Sequence, residues 1–282
     1  MFELLRHPRL PWLTRIGLVS VLAAFTFTAF AQYRQSGNPL DELLLAETQL
    51  VLDVAQEPVI TELPDFGIYG DTDTRKEAFF DFLGTYVESE NARIASTRTE
   101  LEPMWEVVQR GQMLSSVERA RLQEIAAEYR LGDSELDQRA LLRELMRRVD
   151  VIPASLVLAQ AANESAWGTS RFAREGNNIF GQWCYDEGCG LVPERRGKDA
   201  THEVRAFASI QASVSAYFRN LNTNRSYEDL RELRAAMRMQ DMPLNSIILA
   251  RGLTRYSERG QAYVSELQDI IRINRLGMLD NS

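Results

Sequence analysis

The sequence predicts an α+β fold that is mostly helical and carries one small antiparallel β lobe. Two observations lead to it. Apolar residues recur at helical spacing from about residue 74 to residue 175, and again from 209 to 276. Between those stretches, residues 179–207 alternate in polarity and hold several turn residues, as short antiparallel strands do. The chain has 282 residues, 45% hydrophobic and 26% charged, enough for a substantial core. Its net charge of -8 lacks the basic face of a nucleic-acid binder, so no nucleic-acid partner is expected.

The elements follow in chain order. Arg6, Arg9 and Arg15 precede an uncharged run from Ile16 to Ala31 that ends Ala29-Phe30-Ala31. A basic flank, an apolar stretch and a small-residue exit describe a secretory signal peptide over residues 1–31. The rival reading is an uncleaved signal anchor, for which the run is short against the roughly 20 residues of a bilayer span. Either way the body of the chain is expected outside the cytoplasm, touching membrane only through this segment if it is kept. Residues 32–73, with three prolines, three glycines and many acids, read as a flexible linker with a short helix at 40–54.

Residues 74–150 read as an N-terminal helical region. One helix begins near Thr74 with Phe79, Phe82, Leu83 and Tyr86 on its apolar side, and is expected to stop before Pro103. Ser115-Ser116-Val117-Glu118 opens a second helix as a capping box, with Val117, Leu122, Ile125, Ala126 and Tyr129 as its stripe. A third runs from Ser134 to Val149 with Leu136, Leu141, Leu142, Leu145 and Met146 inward. These helices carry core packing and no catalytic constellation.

Chemistry begins at Pro153, a residue suited to a first helical turn. Ala154 to Ala162 is apolar on nearly every side, which marks a helix buried all round. Its last turn holds Asn163 and Glu164, and Gly168 is expected to cap it. Burial and the negative end of the helix dipole both disfavour the charged form of Glu164. A carboxyl so perturbed can hold a proton near neutral pH and pass it to a leaving group. A structural acid paired with an arginine fits the same position. Strands are expected at Phe180–Tyr185, Gly190–Pro193 and Glu203–Phe207, then helices at 209–222, 227–240, 244–253 and 259–276.

Cys184 and Cys189 are the two cysteines, five positions apart with Gly188 between them. In an exported chain such a pair reads as a disulfide; if export were wrong, two free buried thiols would be favoured. With His202 as the nearby histidine, the ligands are too few for zinc, so no metal and no cofactor is expected.

The segments Ala159-x-x-x-Asn163-Glu164-Ser165-x-Trp167-Gly168-x-Ser170 and Asn177-Asn178-Ile179-Phe180-Gly181 resemble the glucosaminidase domain of glycoside hydrolase family 73. So do Trp183-Cys184, Cys189-Gly190-Leu191-Val192-Pro193, His202-Glu203-Val204 and Tyr256-Ser257-Glu258-Arg259-Gly260-x-x-Tyr263-Val264. The resemblance spans about residues 75–276, with residues 151–282 as the glucosaminidase domain. It implies a lysozyme-like fold and a periplasmic or cell-envelope hydrolase that cuts peptidoglycan glycan strands beside N-acetylglucosamine. No second subunit is expected. The resemblance places the catalytic acid on Glu164, the second carboxylate on Glu194 and the active-site tyrosine on Tyr256. Glu187 and Glu203 are weaker candidates for the second role. Glu194 also fits a solvated turn residue, and attack by the substrate's own acetamide would need no second carboxylate. The family's Tyr-Ala-Thr-Asp-Pro stands here as Tyr256-Ser257-Glu258-Arg259-Gly260, which puts the role of Tyr256 in question. Trp183, Asn178 and Tyr263 are candidate substrate contacts, although Asn178 also suits a turn-fixing role and Trp167 suits core packing. A lytic transglycosylase and a non-catalytic wall-binding module remain as alternatives. The former typically follows Glu-Ser with a Gly-Leu-Met-Gln type segment, absent here. An acidic chain on an anionic polymer is expected to bind through hydrogen bonds in the cleft.

Overall fold

The computed structural model describes residues 63–194 and 201–281. The expected signal segment and the helix expected at 40–54 lie outside the described residues. Among the described residues, no helix is long and apolar enough to cross a membrane. The architecture is a mostly helical α+β fold, as the periodicities predict. A 3-10 turn at Phe66–Ile68 leads into α1 (Thr72–Gln109), α2 (Ser116–Glu128), α3 (Gln138–Arg148), α4 (Ala154–Ser165) and α5 (Arg171–Gly176). Three short strands follow, β1 (Trp183–Cys184), β2 (Gly190–Leu191) and β3 (Glu203–Arg205). The chain closes with α6 (Ile210–Thr223), α7 (Glu228–Met239), α8 (Ser246–Leu249) and α9 (Gln261–Ile273), with 3-10 turns at Ala250–Leu253 and Leu276–Asn281.

The sheet order is β1-β3-β2 and both pairings are antiparallel, with Trp183 opposite Val204 and Gly190 opposite Arg205. The strands are shorter than the alternation predicts. Beyond these few positions, backbone bonds from Ala206 N–H to the Cys189 carbonyl and from Phe207 N–H to the Gly176 carbonyl continue the lobe, and Asn178 donates to the carbonyls of Gln182 and Arg205 and accepts from Gln182 N–H.

Several helix limits differ from expectation, each for a local reason. α1 runs through Pro103. Pro103 and Thr99, the residue four earlier whose carbonyl loses its partner, both lie on the exposed side, so that carbonyl reaches water. Leu101, Met104 and Val108 meanwhile bury the continuing apolar side. Val117 is 77% exposed because it sits in the first turn of α2, on the opposite side from Leu122, Ile125 and Ala126. The capping box itself forms, with Glu118 N–H donating to Ser115 Oγ and Ser115 N–H to the Glu118 carboxylate. α3 starts at Gln138 because Asp137 takes the cap by accepting from Ala140 N–H, which leaves Leu136 outside. Ala166, at φ 50°, ends α4 in place of the expected Gly168. Gly168 instead meets a steric demand: a Cβ there would stand 2.5 Å from the Phe66 ring. Phe66 is itself buried edge-on to Phe79 and Phe82, so packing begins within the stretch read as linker.

α4 is the centre of the packing. Ser155 to Ala162 are all buried, and α1, α8, α9 and the C-terminal 3-10 turn pack around it. Full burial of each aliphatic side chain there contributes about 1.5–3 kcal/mol. The connection entering α4 is fixed by Asp150, buried beside Arg238 at 2.9 Å, Arg98 at 3.7 Å and Arg234 at 3.8 Å. Arg234, also buried, donates to the carbonyls of Asp150, Val151 and Arg147 and to Asn222 Oδ1. It ties α7 and α6 to the end of α3.

Burial alone would raise the Asp150 carboxyl, but the three guanidiniums more than offset it and hold the pKa below its ordinary value. A depressed folded-state pKa gives stability that is present above the unfolded carboxylate value, roughly 3.9, and lost as pH falls through the folded value. Asp150→Asn should therefore cost about 3 kcal/mol at pH 7 in urea denaturation. It should also flatten the acid-side loss of stability below about pH 4. An unchanged denaturation midpoint would contradict this account of the fold.

Candidate active site

Glu164 occupies the last turn of α4, where a helix buried on every side reaches partial exposure. Its carboxyl is raised above the ordinary 4.5, chiefly by burial. Hydrogen bonds from Tyr263 and Asn163 and the nearby Arg259 pull the other way without cancelling it. Four tyrosines surround this carboxyl, Tyr217, Tyr227, Tyr256 and Tyr263, and burial raises the pKa of every one, with the Glu164 charge adding to it. They therefore remain neutral hydroxyls at any working pH.

The polarity of their hydrogen bonds can be read in sequence. Tyr217 OH donates to Gln160 Oε1, and Gln160 Nε2 donates to Tyr263 OH at 2.9 Å. The Tyr263 oxygen already accepts from Gln160, so its own proton is the one directed at Glu164. Gln160 lies one helical turn before Glu164 on α4 and is buried. A polar side chain inside an otherwise apolar helix, four residues before the acid, was the signal that sequence reading passed over. Tyr263, a candidate substrate contact, is fully buried at 0% exposure, and its hydroxyl is taken by Gln160 and Glu164. It touches the candidate acid and has no surface left for a sugar.

Tyr256 stacks parallel to Tyr263, with centroids 5.6 Å apart, and its hydroxyl donates to the Phe180 carbonyl at 2.9 Å. Phe180 stacks on Tyr217 at 3.9 Å. This contact brings the turn after α5 over the carboxyl. Gly181, at φ 63°, passes so close that a Cβ there would stand 3.5 Å from Glu164 Oε2. Asn178 is buried with its amide committed to the backbone of this same turn, which is the turn-fixing role rather than a substrate contact.

The β-lobe candidates are placed differently. Trp183 is 56% exposed and stacks one face on His202, 4.2 Å away and 13° from parallel. More than half of the Trp183 surface is exposed among the described residues. Glu194 is exposed, with Arg171 at 3.9 Å as its ion-pair partner, and makes no hydrogen bond to the Glu164 cluster among the described residues. Glu187 lies exposed in the loop between the cysteines. Glu203 is buried and accepts from Gly188 N–H and Gly190 N–H, which fixes that loop. Cys184 and Cys189 form a disulfide across it. Their sulfurs lie close to the Glu203 carboxylate, but the disulfide and these two hydrogen bonds already use those atoms. Trp167 packs edge-on against Phe79 and Phe80.

A half-buried carboxyl whose pKa is raised by its surroundings is what a general acid of glycoside cleavage requires. Comparison with known families agrees in class. A model described as "Glucosaminidase: Mannosyl-glycoprotein endo-beta-N-acetylglucosaminidase" matches residues 139–276, a span that holds Glu164, the sheet and all four tyrosines. The chain is 37% identical over 204 residues to "Protein bax" of Escherichia coli (strain K12), covering 72% of this chain and 71% of the relative. No solved structure matches. The chain belongs to the Bax family of glucosaminidase-domain proteins.

The direction of the Tyr263 hydrogen bond has a measurable consequence. Removing it with Tyr263→Phe should raise the Glu164 pKa further, since that bond favours the ionised form. It should also cost about 1–3 kcal/mol of stability by stranding Gln160 Nε2. Carboxyl carbon NMR titration of Glu164 reads the shift; a fall in pKa would contradict the assignment.

Proposed function

We propose that this chain is an exported peptidoglycan hydrolase that cleaves glycosidic bonds beside N-acetylglucosamine, with Glu164 as general acid. The observation that carries this reading is the setting of Glu164: half-buried, raised in pKa, and the shared neighbour of four neutral tyrosine hydroxyls. Export is supported by the basic-then-apolar N-terminus and by the Cys184–Cys189 disulfide, since such bonds persist in oxidising compartments. On this reading the protein works in the periplasm or cell envelope, where the N-acetylglucosamine polymer at hand is peptidoglycan. The substrate named in the matched family's description is a mannosyl glycoprotein, and both substrates contain N-acetylglucosamine.

In this mechanism the glycan lies between the Glu164 end of α4 and the β lobe, with Trp183 stacking on a sugar ring. Glu164, protonated, delivers its proton to the glycosidic oxygen as the bond to the anomeric carbon breaks. Tyr263 fixes the acid by bonding one carboxyl oxygen, which leaves the proton on the other. Gln160 and Tyr217 hold Tyr263 in that orientation. Tyr256 holds the Phe180–Gly181 turn against the acid, and its ring borders the site. Glu194 is the proposed second carboxylate, orienting the attacking water from the β lobe; the reason is the resemblance rather than contact with Glu164.

Mass spectrometry of digested sacculi tests this reading. Glu164→Gln should lose at least ~100-fold in turnover with folding intact. Near wild-type turnover would sink the assignment, and a 1,6-anhydro product would reassign the chain as a lytic transglycosylase. Glu194→Gln should lose a similar factor; full retention would give the attack to the substrate's own acetamide. Activity requires the protonated acid, so it should fall as pH rises through the Glu164 pKa, with that limb above 4.5.

A further inference from the structure

Near the Glu164 site lies a cleft of about 550 Å³ lined by several arginines. Arg93 from α1, Arg130 just beyond α2, Arg205 from β3 and Arg219 from α6 all line it, with Gln182 and Trp183 at its β-lobe wall. Arg93 is committed: it pairs with Glu90 and Glu128, each at 2.8 Å. Arg130, Arg205 and Arg219 are exposed and have no ion-pair partner among the described residues, although Arg205 lies over the Phe207 ring at 5.0 Å. Three guanidiniums without an ion-pair partner among the described residues, from three separate segments, line this cleft beside the Arg93-paired Glu128, in a chain whose net charge is -8. Like charges repel, and packing gives no reason to gather them. A bound anion would supply one.

Two connections join this cleft to the acid. Gln182 lines it, and the adjacent Gly181 is the residue packed against Glu164 Oε2. Asn220 also lines it and bonds the Tyr227 hydroxyl in the tyrosine cluster. Gln182 is itself fixed, donating to the Ser213 carbonyl. The cleft therefore begins one residue from the candidate acid, on the Trp183 side.

We propose that this cleft is a carboxylate-binding subsite for the acidic peptide substituents of the glycan, with Arg130, Arg205 and Arg219 as the recognising groups. This rests on the peptidoglycan reading above. In peptidoglycan the sugar beside N-acetylglucosamine carries a peptide with free carboxylates, whereas a neutral mannosyl glycan offers none. Guanidinium forks suit carboxylates because they donate two parallel hydrogen bonds. A local positive cleft also lets an acidic protein hold an anionic polymer.

The test is direct binding to the full chain carrying Glu164→Gln, which needs no turnover. Calorimetry would compare one disaccharide muropeptide with free peptide carboxylates against the same muropeptide with those carboxylates amidated. The free-acid form should bind at least about tenfold tighter, and Arg205→Gln/Arg219→Gln should remove that difference while leaving affinity for the amidated form unchanged. Raising salt should narrow the gap as well. Equal affinity for the two forms, or a preference that survives the double substitution, would overturn the proposal. Failure of the peptidoglycan reading itself would show separately, as wild-type chain that leaves sacculi undigested.

Discussion

The structure depends on one constraint: α4 is buried on every side, yet it must end in a carboxyl. A helix with its middle residues all excluded from water has no polar side to spare, so its neighbours must satisfy whatever polar atoms it carries. They do so in a defined order. α1, α8, α9 and the C-terminal 3-10 turn cover its sides. α6 and α9 contribute Tyr217 and Tyr263 to the amide of Gln160. Water then approaches at the end, where Glu164 stands. The perturbed acid is thus a consequence of how the core is closed.

The same packing explains why the surrounding hydroxyls are all tyrosines. A phenol combines a large apolar ring with one polar tip, so it can fill core volume and still present a hydroxyl at a buried carboxyl. Tyr256 and Tyr263 stack in parallel, while their hydroxyls serve different partners, the Phe180 carbonyl and the Gln160–Glu164 pair. One ring stack thereby holds two things in register, the acid and the turn that covers it. The β lobe is held by fewer elements. Its three short strands rely on the disulfide, on Glu203 and on Asn178.

Much of this was legible in the sequence where the signal is local. The capping box at Ser115, the all-apolar run of α4, the Cys184–Cys189 spacing and the Asn178 turn each lie within a few residues, and each forms. Misreadings arose where solvent direction decides. Pro103 is tolerated because it faces water, Val117 is exposed because it sits on the outer side of a first turn, and Ala166 takes the cap because Gly168 is needed beneath Phe66. None of these is visible without knowing which side of the helix is covered. Contacts between distant segments were out of reach altogether. Gln160 and Tyr263 are 103 positions apart, and the arginines of the neighbouring cleft come from four separate segments with no shared motif. Tyr263 could be named from its family pattern, but its burial, and so its role toward the acid rather than the sugar, required the fold.

The central claim is that the proton of Glu164 goes to the glycosidic oxygen. A crystal structure of the Glu164→Gln chain with a bound glycan containing N-acetylglucosamine tests it most directly. The account predicts the glycosidic oxygen roughly 3 Å from the position-164 side chain, with the Tyr263 hydroxyl still bonded to that side chain. A glycan bound with its scissile oxygen beyond reach of position 164, or seated away from the tyrosine cluster, would contradict it.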